Sequence, residues 1–173
     1  TITLNNQGGT GSSSVTATYG SSLPTLTAPT KAGHRFLGYF TATTGGTQYY
    51  SSTMVSQVTW NSTNPVTLYA RWEAIEYTIT FNTNQGTGAQ TAVTVTYGSN
   101  MPSITVAPTK PGYIFSGYYD AVTGGTKYYN ADLSSAKTWD KEANAVLYAH
   151  WQGYPYTVRF NANGGTGTMS NQT

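Results

Sequence analysis

The chain contains nearly the same sequence twice and begins it a third time. Residues 1–5 (TITLN) return as residues 78–82 (TITFN) and as residues 157–161 (TVRFN). Further blocks match at a spacing of about 80 residues: 28–33 with 107–112, 44–50 with 123–129, and 68–72 with 147–151. This period is too long for one solenoid turn and suits a small domain. We therefore expect one domain over residues 1–76, a second over 77–155, and the first strand and turn of a truncated third repeat over 156–173.

The composition excludes several classes of site and partner. With no cysteine, the chain can form no disulfide, thiolate metal site or catalytic cysteine. Charged residues make up only 8% of it and the formal net charge is +2, so no nucleic-acid partner is predicted. No apolar run approaches the ~20 residues that span a bilayer, and we expect no membrane insertion within the chain and any signal or anchor segment outside it.

Alternating apolar residues predict that strands dominate each repeat. The last strand is the clearest, with Val66, Leu68, Ala70 and Trp72 facing inward and the residues between them outward. In an earlier strand, Phe36, Gly38 and Phe40 are expected on one face and Arg35, Leu37 and Tyr39 on the other. Only the window 51–60, and its counterpart with a cap at Asn130 or Asp132, has the spacing of a short helix.

These patterns predict an α+β fold that is mostly β. The joints between repeats, residues 73–77 and 152–156, are short, carry aromatic or aliphatic residues, and have no Gly/Ser run. Such joints are poorly suited to act as flexible tethers. We therefore expect the small domains to form a semi-rigid rod. The start of a third repeat at residues 156–173 suggests a longer array.

The ordered motifs resemble one known family. They are the segments 158–165 (VRFNANGG), 107–119 (APTKPGYIFSGYY) and 147–151 (LYAHW). The chain is similar over nearly its whole length to the Listeria-Bacteroides repeat, also called the internalin B-type B-repeat. The resemblance implies tandem β-grasp-like (ubiquitin-like) domains in secreted or surface-anchored bacterial proteins, located between a functional head and an anchor. It supplies no catalytic residues.

Tyrosine is the residue type in surplus, with 15 in the chain. Tyrosine offers an amphipathic ring that costs little entropy to order, which suits stacking on sugars or contact with proteins. The alternative is that about half of these rings cover the core. The candidate ligand surface consists of Tyr39, Tyr49, Tyr50, Tyr69, Tyr118, Tyr128, Tyr129 and Tyr148.

No catalytic, cofactor or metal site is predicted. The glycine-rich turns are followed by Thr-rich strands, whereas a phosphate-binding loop needs a helix start. Four acidic residues of the second repeat align with uncharged residues of the first, so no acidic pair is present in both: Asp120, Asp132, Asp140 and Glu142 align with Thr41, Thr53, Asn61 and Thr63.

The sequence thus predicts a non-enzymatic stalk or spacer segment of an extracellular, bacterial cell-surface protein, with a contribution to adhesion as a further option. The alternative is a carbohydrate- or receptor-binding module that uses the tyrosine-rich surface. Expected partners are host-surface or cell-wall glycans or a protein receptor. Residues 156–173 carry an apolar strand without a core of their own. We therefore expect Val158 and Phe160 to be held either by the end of the second repeat or by a strand edge of a neighbouring molecule, the latter giving self-association.

Overall fold

The computed structural model describes residues 1–88 and 90–172, and all regular structure in them is β. The first repeat contains β1 (Ile2–Asn5), β2 (Ser14–Val15), β3 (His34–Phe40), β4 (Gln48–Ser51) and β5 (Val66–Ala74). The second contains β6 (Glu76–Asn82), β7 (Val93–Thr96), β8 (Tyr113–Tyr119), β9 (Lys127–Asn130) and β10 (Ala145–Gly153). The mostly-β prediction is confirmed.

Each repeat forms one five-stranded sheet, with strand orders β2-β1-β5-β3-β4 and β7-β6-β10-β8-β9. In the first sheet, β5 is parallel to β1 and antiparallel to β3, which places it between two hairpins. In the second sheet, β10 is likewise parallel to β6 and antiparallel to β8. The described residues divide into two compact units, the first comprising 1–77 with 95–99 and 139–144, and the second the remainder.

One face of each sheet carries a core of aliphatic and aromatic side chains. In the first unit the core contains Ile2, Leu4, Val15, Leu23, Phe36, Tyr39, Tyr50, Met54, Trp60, Leu68 and Ala70. In the second unit the buried residues include Ile79, Met101, Ile104, Tyr118, Tyr128, Tyr129, Leu147 and Ala149. The expected inward face of β5 is thus confirmed for Leu68 and Ala70, whereas Trp72 and its counterpart Trp151 are only half-buried, at the margin of the core.

The predicted helix in the window 51–60 is absent, so the α component of the predicted fold class is wrong in both repeats. Ser51–Met54 is a turn closed by the Met54 N–H, which donates to the Ser51 carbonyl at 3.0 Å. The Ser51 hydroxyl accepts the N–H of Val55 at 3.0 Å, and Gln57 N–H donates to the Tyr49 carbonyl at 2.9 Å. The segment therefore folds back along the outer edge of β4 and covers it, which is one way that proteins protect an edge strand.

A β-bulge overturns the predicted alternation in β3. The register of β3 against β5 shifts between Phe36 and Gly38, and Gly38 has φ 132°. One extra residue in a strand sends all later side chains to the opposite face. Tyr39 therefore joins Phe36 in the core, while Phe40 lies on the outer face of the sheet.

Candidate functional site

Five of the eight candidate tyrosines lie in the cores and not on a surface. Tyr39, Tyr50, Tyr118, Tyr128 and Tyr129 are at most 1% exposed. The hydroxyl of Tyr50 donates to the Pro24 carbonyl at 2.8 Å, and the hydroxyl of Tyr129 donates to the Pro102 carbonyl at the same distance. The rings of Tyr50 and Tyr129 thus hold loops that cover the sheets. All five tyrosines are buried, so we correct their assignment to core residues.

Burial also sets the ionisation of these side chains. Burial, with a smaller contribution from the charge of Tyr50, raises the pKa of Tyr39 to about 12. Burial likewise raises the pKa of Tyr50 and Tyr129. A phenol buried in apolar surroundings stays neutral because the phenolate would lose its hydration. These tyrosines are therefore neutral structural groups near neutral pH.

The other three candidates, Tyr49, Tyr69 and Tyr148, are partly exposed. Tyr69 belongs to a row that crosses four strands on the outer face of the first sheet. Paired positions across the sheet give the order Asn5, Tyr69, Phe40, Gln48. The second sheet has the matching row Asn82, Tyr148, Tyr119, Lys127. We call these the aromatic rows; each spans ~14 Å, three strand spacings.

In each row, the residue two positions after the β5 or β10 tyrosine stacks on the other aromatic ring. This residue is Arg71 after Tyr69 and His150 after Tyr148. In the first unit the guanidinium of Arg71 lies 3.8 Å from the centroid of the Phe40 ring, and its Nη2 donates to the Ala42 carbonyl at 3.0 Å. In the second unit the His150 imidazole stacks on Tyr119 with centroids 3.9 Å apart and planes 10° apart. His150 Nε2 lies 2.8 Å from the Ala121 carbonyl, the counterpart of Ala42.

A shallow depression lies beside this side chain in each unit. In the first unit it is lined by Gln7, Lys31, His34, Leu37, Thr43, Ala70, Arg71 and Trp72. In the second unit it is lined by Asn84, Gln85, Lys110, Tyr113, Val122, Thr123, Gly124, His150 and Trp151. Six positions correspond in the repeat alignment: 7/84, 31/110, 34/113, 43/122, 71/150 and 72/151. We call these two features the strand-end depressions.

Sequence reasoning did not find these depressions. The recurrence of Lys31 as Lys110 and of Trp72 as Trp151 was visible in the repeat alignment. Nothing in the sequence indicated, however, that the bulge would turn Phe40 outward to support Arg71. The residues meet because three turns and the end of β5 converge, which is a property of the topology.

The described residues contain no group of three His, Cys, Asp or Glu side chains that could hold a metal ion. In the same part of the chain no helix is long and apolar enough to cross a membrane.

The truncated third repeat contains no regular strand in its described residues, 156–172. Val158 and Gln172 form an isolated antiparallel bridge. The side chains of Val158 and Phe160 remain 52% and 48% exposed. Their contact with another molecule therefore stays a prediction.

Comparison with known proteins gives a family match over most of the chain. The Listeria-Bacteroides repeat domain matches residues 1–71 and 77–150. Each match falls on one five-stranded sheet and ends close to the joint that the repeat alignment predicts.

Three curated relatives are similar to parts or most of the chain. Internalin H of Listeria monocytogenes serovar 1/2a is 41% identical to this chain. The match covers 72% of this chain and 20% of Internalin H. A protein of Evansella cellulosilytica provisionally named a membrane protein is 32% identical over 96% of this chain and 23% of its own length. A second protein from that organism, provisionally named a Gly-rich membrane protein, is 32% identical over 79% of this chain and 14% of its own length. The chain thus spans about a fifth of the length of the relatives it matches.

Proposed function

The chain belongs to the Listeria-Bacteroides repeat domain family, and we propose that it is a non-catalytic stalk or spacer segment of a bacterial cell-surface protein. The observation that carries the proposal is the tandem of two sheets with the same strand order. Its match to part of Internalin H and to proteins provisionally named as membrane proteins supports a location at the extracellular surface. The relatives are several times longer than the chain, so their other regions have room for a head and an anchor.

The proposed mechanism is mechanical. β5 ends at Ala74 and β6 begins at Glu76, so only Ile75 separates the two sheets along the chain. The N–H of Ile75 donates to the Gly33 carbonyl at 2.9 Å, and its counterpart Tyr154 donates to Gly112 at the same distance. A joint with few free dihedrals restricts bending, whereas a Gly/Ser linker samples many lengths. We infer a semi-rigid rod of β-grasp-like domains whose reach grows with the number of repeats.

A display experiment tests the spacer role. A reporter binding domain is anchored to a bacterial surface through zero, one or two copies of this chain, and capture of a bulky ligand is measured. We expect capture to rise with copy number. The matched control replaces each copy with a Gly/Ser linker of equal residue count, which should gain less reach per residue. Equal capture with zero and two copies would contradict the proposal.

The aromatic rows support a second candidate function, contact with host-surface or cell-wall glycans or with a protein receptor. Tyr69 and Tyr148 are the two members of the predicted surface that lie on the outer faces of the sheets beside a second aromatic ring. Replacing both with serine should abolish retention on a cell-wall or host-cell glycan array if the rows bind sugars. Unchanged retention would assign any binding to another surface.

A further inference from the structure

The strand-end depressions present positive charge without a negative partner among their lining residues. Lys31 and Arg71 line the depression of the first unit, together with His34, and no carboxylate lines it. Lys110 and His150 line that of the second unit, again without a carboxylate. The chain as a whole has only 8 Lys and Arg against 6 Asp and Glu. The positive charge is therefore a local property of these depressions and not of the whole surface.

Two acidic side chains close in sequence to the lining residues, Glu73 and Asp120, are engaged elsewhere. Glu73 accepts from Arg35, whose Nε lies 3.1 Å from Glu73 Oε2. Asp120 accepts the N–H of Thr126 at 2.7 Å and so closes its own turn. Neither carboxylate lines a depression. An anion entering the depression therefore meets cations that are not already neutralised within it.

Both lysines are held at the depression by defined contacts. Lys31 Nζ donates to the Gln7 carbonyl at 3.1 Å and lies 5.9 Å from the centroid of the Trp72 ring. Lys110 Nζ donates to Gln85 Oε1 at 3.2 Å and lies 4.4 Å from the centroid of the Tyr113 ring. An ammonium group has three N–H donors, so these hydrogen bonds leave donors for a ligand. Prior ordering of a long side chain lowers the entropy cost of binding.

The side chain at position 71 or 150 is held by the same two supports in both units. Each stacks on an aromatic ring of the neighbouring strand in the sheet, β3 or β8, and lies at hydrogen-bond distance from an alanine carbonyl. A carbonyl can only accept, so His150 Nε2 donates to Ala121, and this ring N–H is not left for a ligand. Arg71 instead is always charged and has five N–H donors. The first unit should therefore bind an anion more tightly than the second.

The remaining lining residues favour a sugar over a peptide. Trp72 and Leu37 in one unit, and Trp151 and Tyr113 in the other, give apolar or aromatic surface beside amide and hydroxyl groups. This mixture suits a sugar ring, whose faces are apolar and whose rim is polar. Peptides commonly bind by adding a strand to an open sheet edge. The edge at β4 is already covered by residues 55–57.

We propose that each strand-end depression binds an acidic polysaccharide, with a carboxylate, sulfate or phosphate group at the lysine, joined by Arg71 in the first unit, and a sugar ring against the tryptophan side. The proposal is independent of the stalk role, since a spacer need not bind anything. Charge-assisted hydrogen bonds to the anion supply the affinity. Binding should weaken as salt is added.

The test is calorimetric titration of the whole chain with heparin, hyaluronan, a teichoic acid and neutral dextran. These probes carry mainly sulfate, only carboxylate, phosphodiester and no charge, respectively, and so distinguish the anion. We expect binding of at least one acidic glycan and none of dextran. Arg71→Gln or Lys31→Gln should weaken binding about tenfold, the scale of one lost hydrogen bond to a charged group. Arg35→Gln removes the same charge outside the depression and should change the affinity less than twofold.

An exchange of side chains between the two units provides a gain of function. His150→Arg should strengthen binding to the second unit, and Arg71→His should reduce the first unit to the level of the second. Melting by circular dichroism verifies that each variant is folded. Two results with variants would overturn the proposal: Arg35→Gln weakens binding as much as Arg71→Gln, or His150→Arg has no effect. Two results with ligands would also overturn it: no acidic glycan binds, or poly-glutamate binds as tightly as the glycans.

Discussion

One glycine in each repeat, Gly38 in β3 and Gly117 in β8, determines which side chains at the end of that strand reach the core. Gly38 and Gly117 have φ 132° and 131°, a region that L side chains rarely adopt. A Cβ at either position would also lie far inside contact distance of a backbone carbonyl, that of Tyr50 or Tyr129. The bulge at these glycines turns Tyr39 and Tyr118 inward, and it is the reason that two predicted surface residues are core residues.

Gly117→Ala should destabilise the second unit by about 1–3 kcal/mol, since it combines an unfavourable φ with a steric clash. Chemical denaturation followed by tryptophan fluorescence measures the loss. Gly153→Ala is the matched control in the same sheet, because a Cβ there meets nothing within 4 Å. If both variants unfold at the same denaturant concentration, the bulge is not a constraint on this fold.

Alkaline pH should unfold the chain through its buried tyrosines. Burial raises the pKa of Tyr39 in the folded state to about 12, above the ordinary tyrosine value of about 10. A raised pKa means that the unfolded chain ionises first, so stability is fully present below pH ~10 and is lost as pH rises towards ~12. Thermal melts across this range, with tyrosinate absorbance as a second readout, measure the loss. Tyr39→Phe should reduce the pH dependence, and a melting temperature that stays constant from about pH 9 to about pH 12 would refute this.

At the scale of elements, alternation alone identified the last strand of each repeat and the dominance of sheet. The residues of β5 follow the predicted pattern because no bulge interrupts it between Val66 and Ala70. The window 51–60 was misread because Met54 and Val58 have helical spacing. Met54 instead reaches the core from a turn, at φ 61° and 2% exposure. Serine and threonine at 51–53 are typical of turns closed by side chains, and this local signal opposed the helix.

The strand-end depressions could not be predicted in the same way. Alternation reports which face a side chain occupies, but not which turns meet beyond the end of a strand. Lys31 is 41 residues from Trp72 in the sequence, yet both line one depression. Only the strand order, with β5 between β1 and β3, brings their segments together.

Trp72→Ala should destabilise the first unit by about 3 kcal/mol, the lower end for a large aromatic residue, because the ring is only half-buried. The change also removes the hydrogen bond from Trp72 Nε1 to the Asn6 carbonyl at 2.9 Å. Urea denaturation measures the effect. Glu73→Ala, the neighbouring exposed residue, should cost no more than ~1 kcal/mol. A loss below ~1 kcal/mol for Trp72→Ala would show that the end of β5 does not contribute to the core.

At the scale of the whole molecule, the apolar side chains of the truncated third repeat are exposed and available for contact. Val158 and Phe160 are about half exposed, and the β pairing among the described residues of this segment is an isolated bridge. We propose that residues 156–173 mediate self-association by strand pairing. Sedimentation equilibrium should show association that Val158→Asp with Phe160→Asp abolishes. A monomer at all concentrations before substitution would contradict this.

The central claim is that the tandem acts as a semi-rigid spacer, and small-angle X-ray scattering of the monomeric double variant Val158→Asp with Phe160→Asp tests it most directly. The chain should give a narrow distribution of conformations that one arrangement of the two units fits, because only Ile75 separates β5 from β6. Insertion of a flexible Gly/Ser segment after Ile75 should broaden that distribution. A distribution equally broad with and without the insertion would contradict the spacer account.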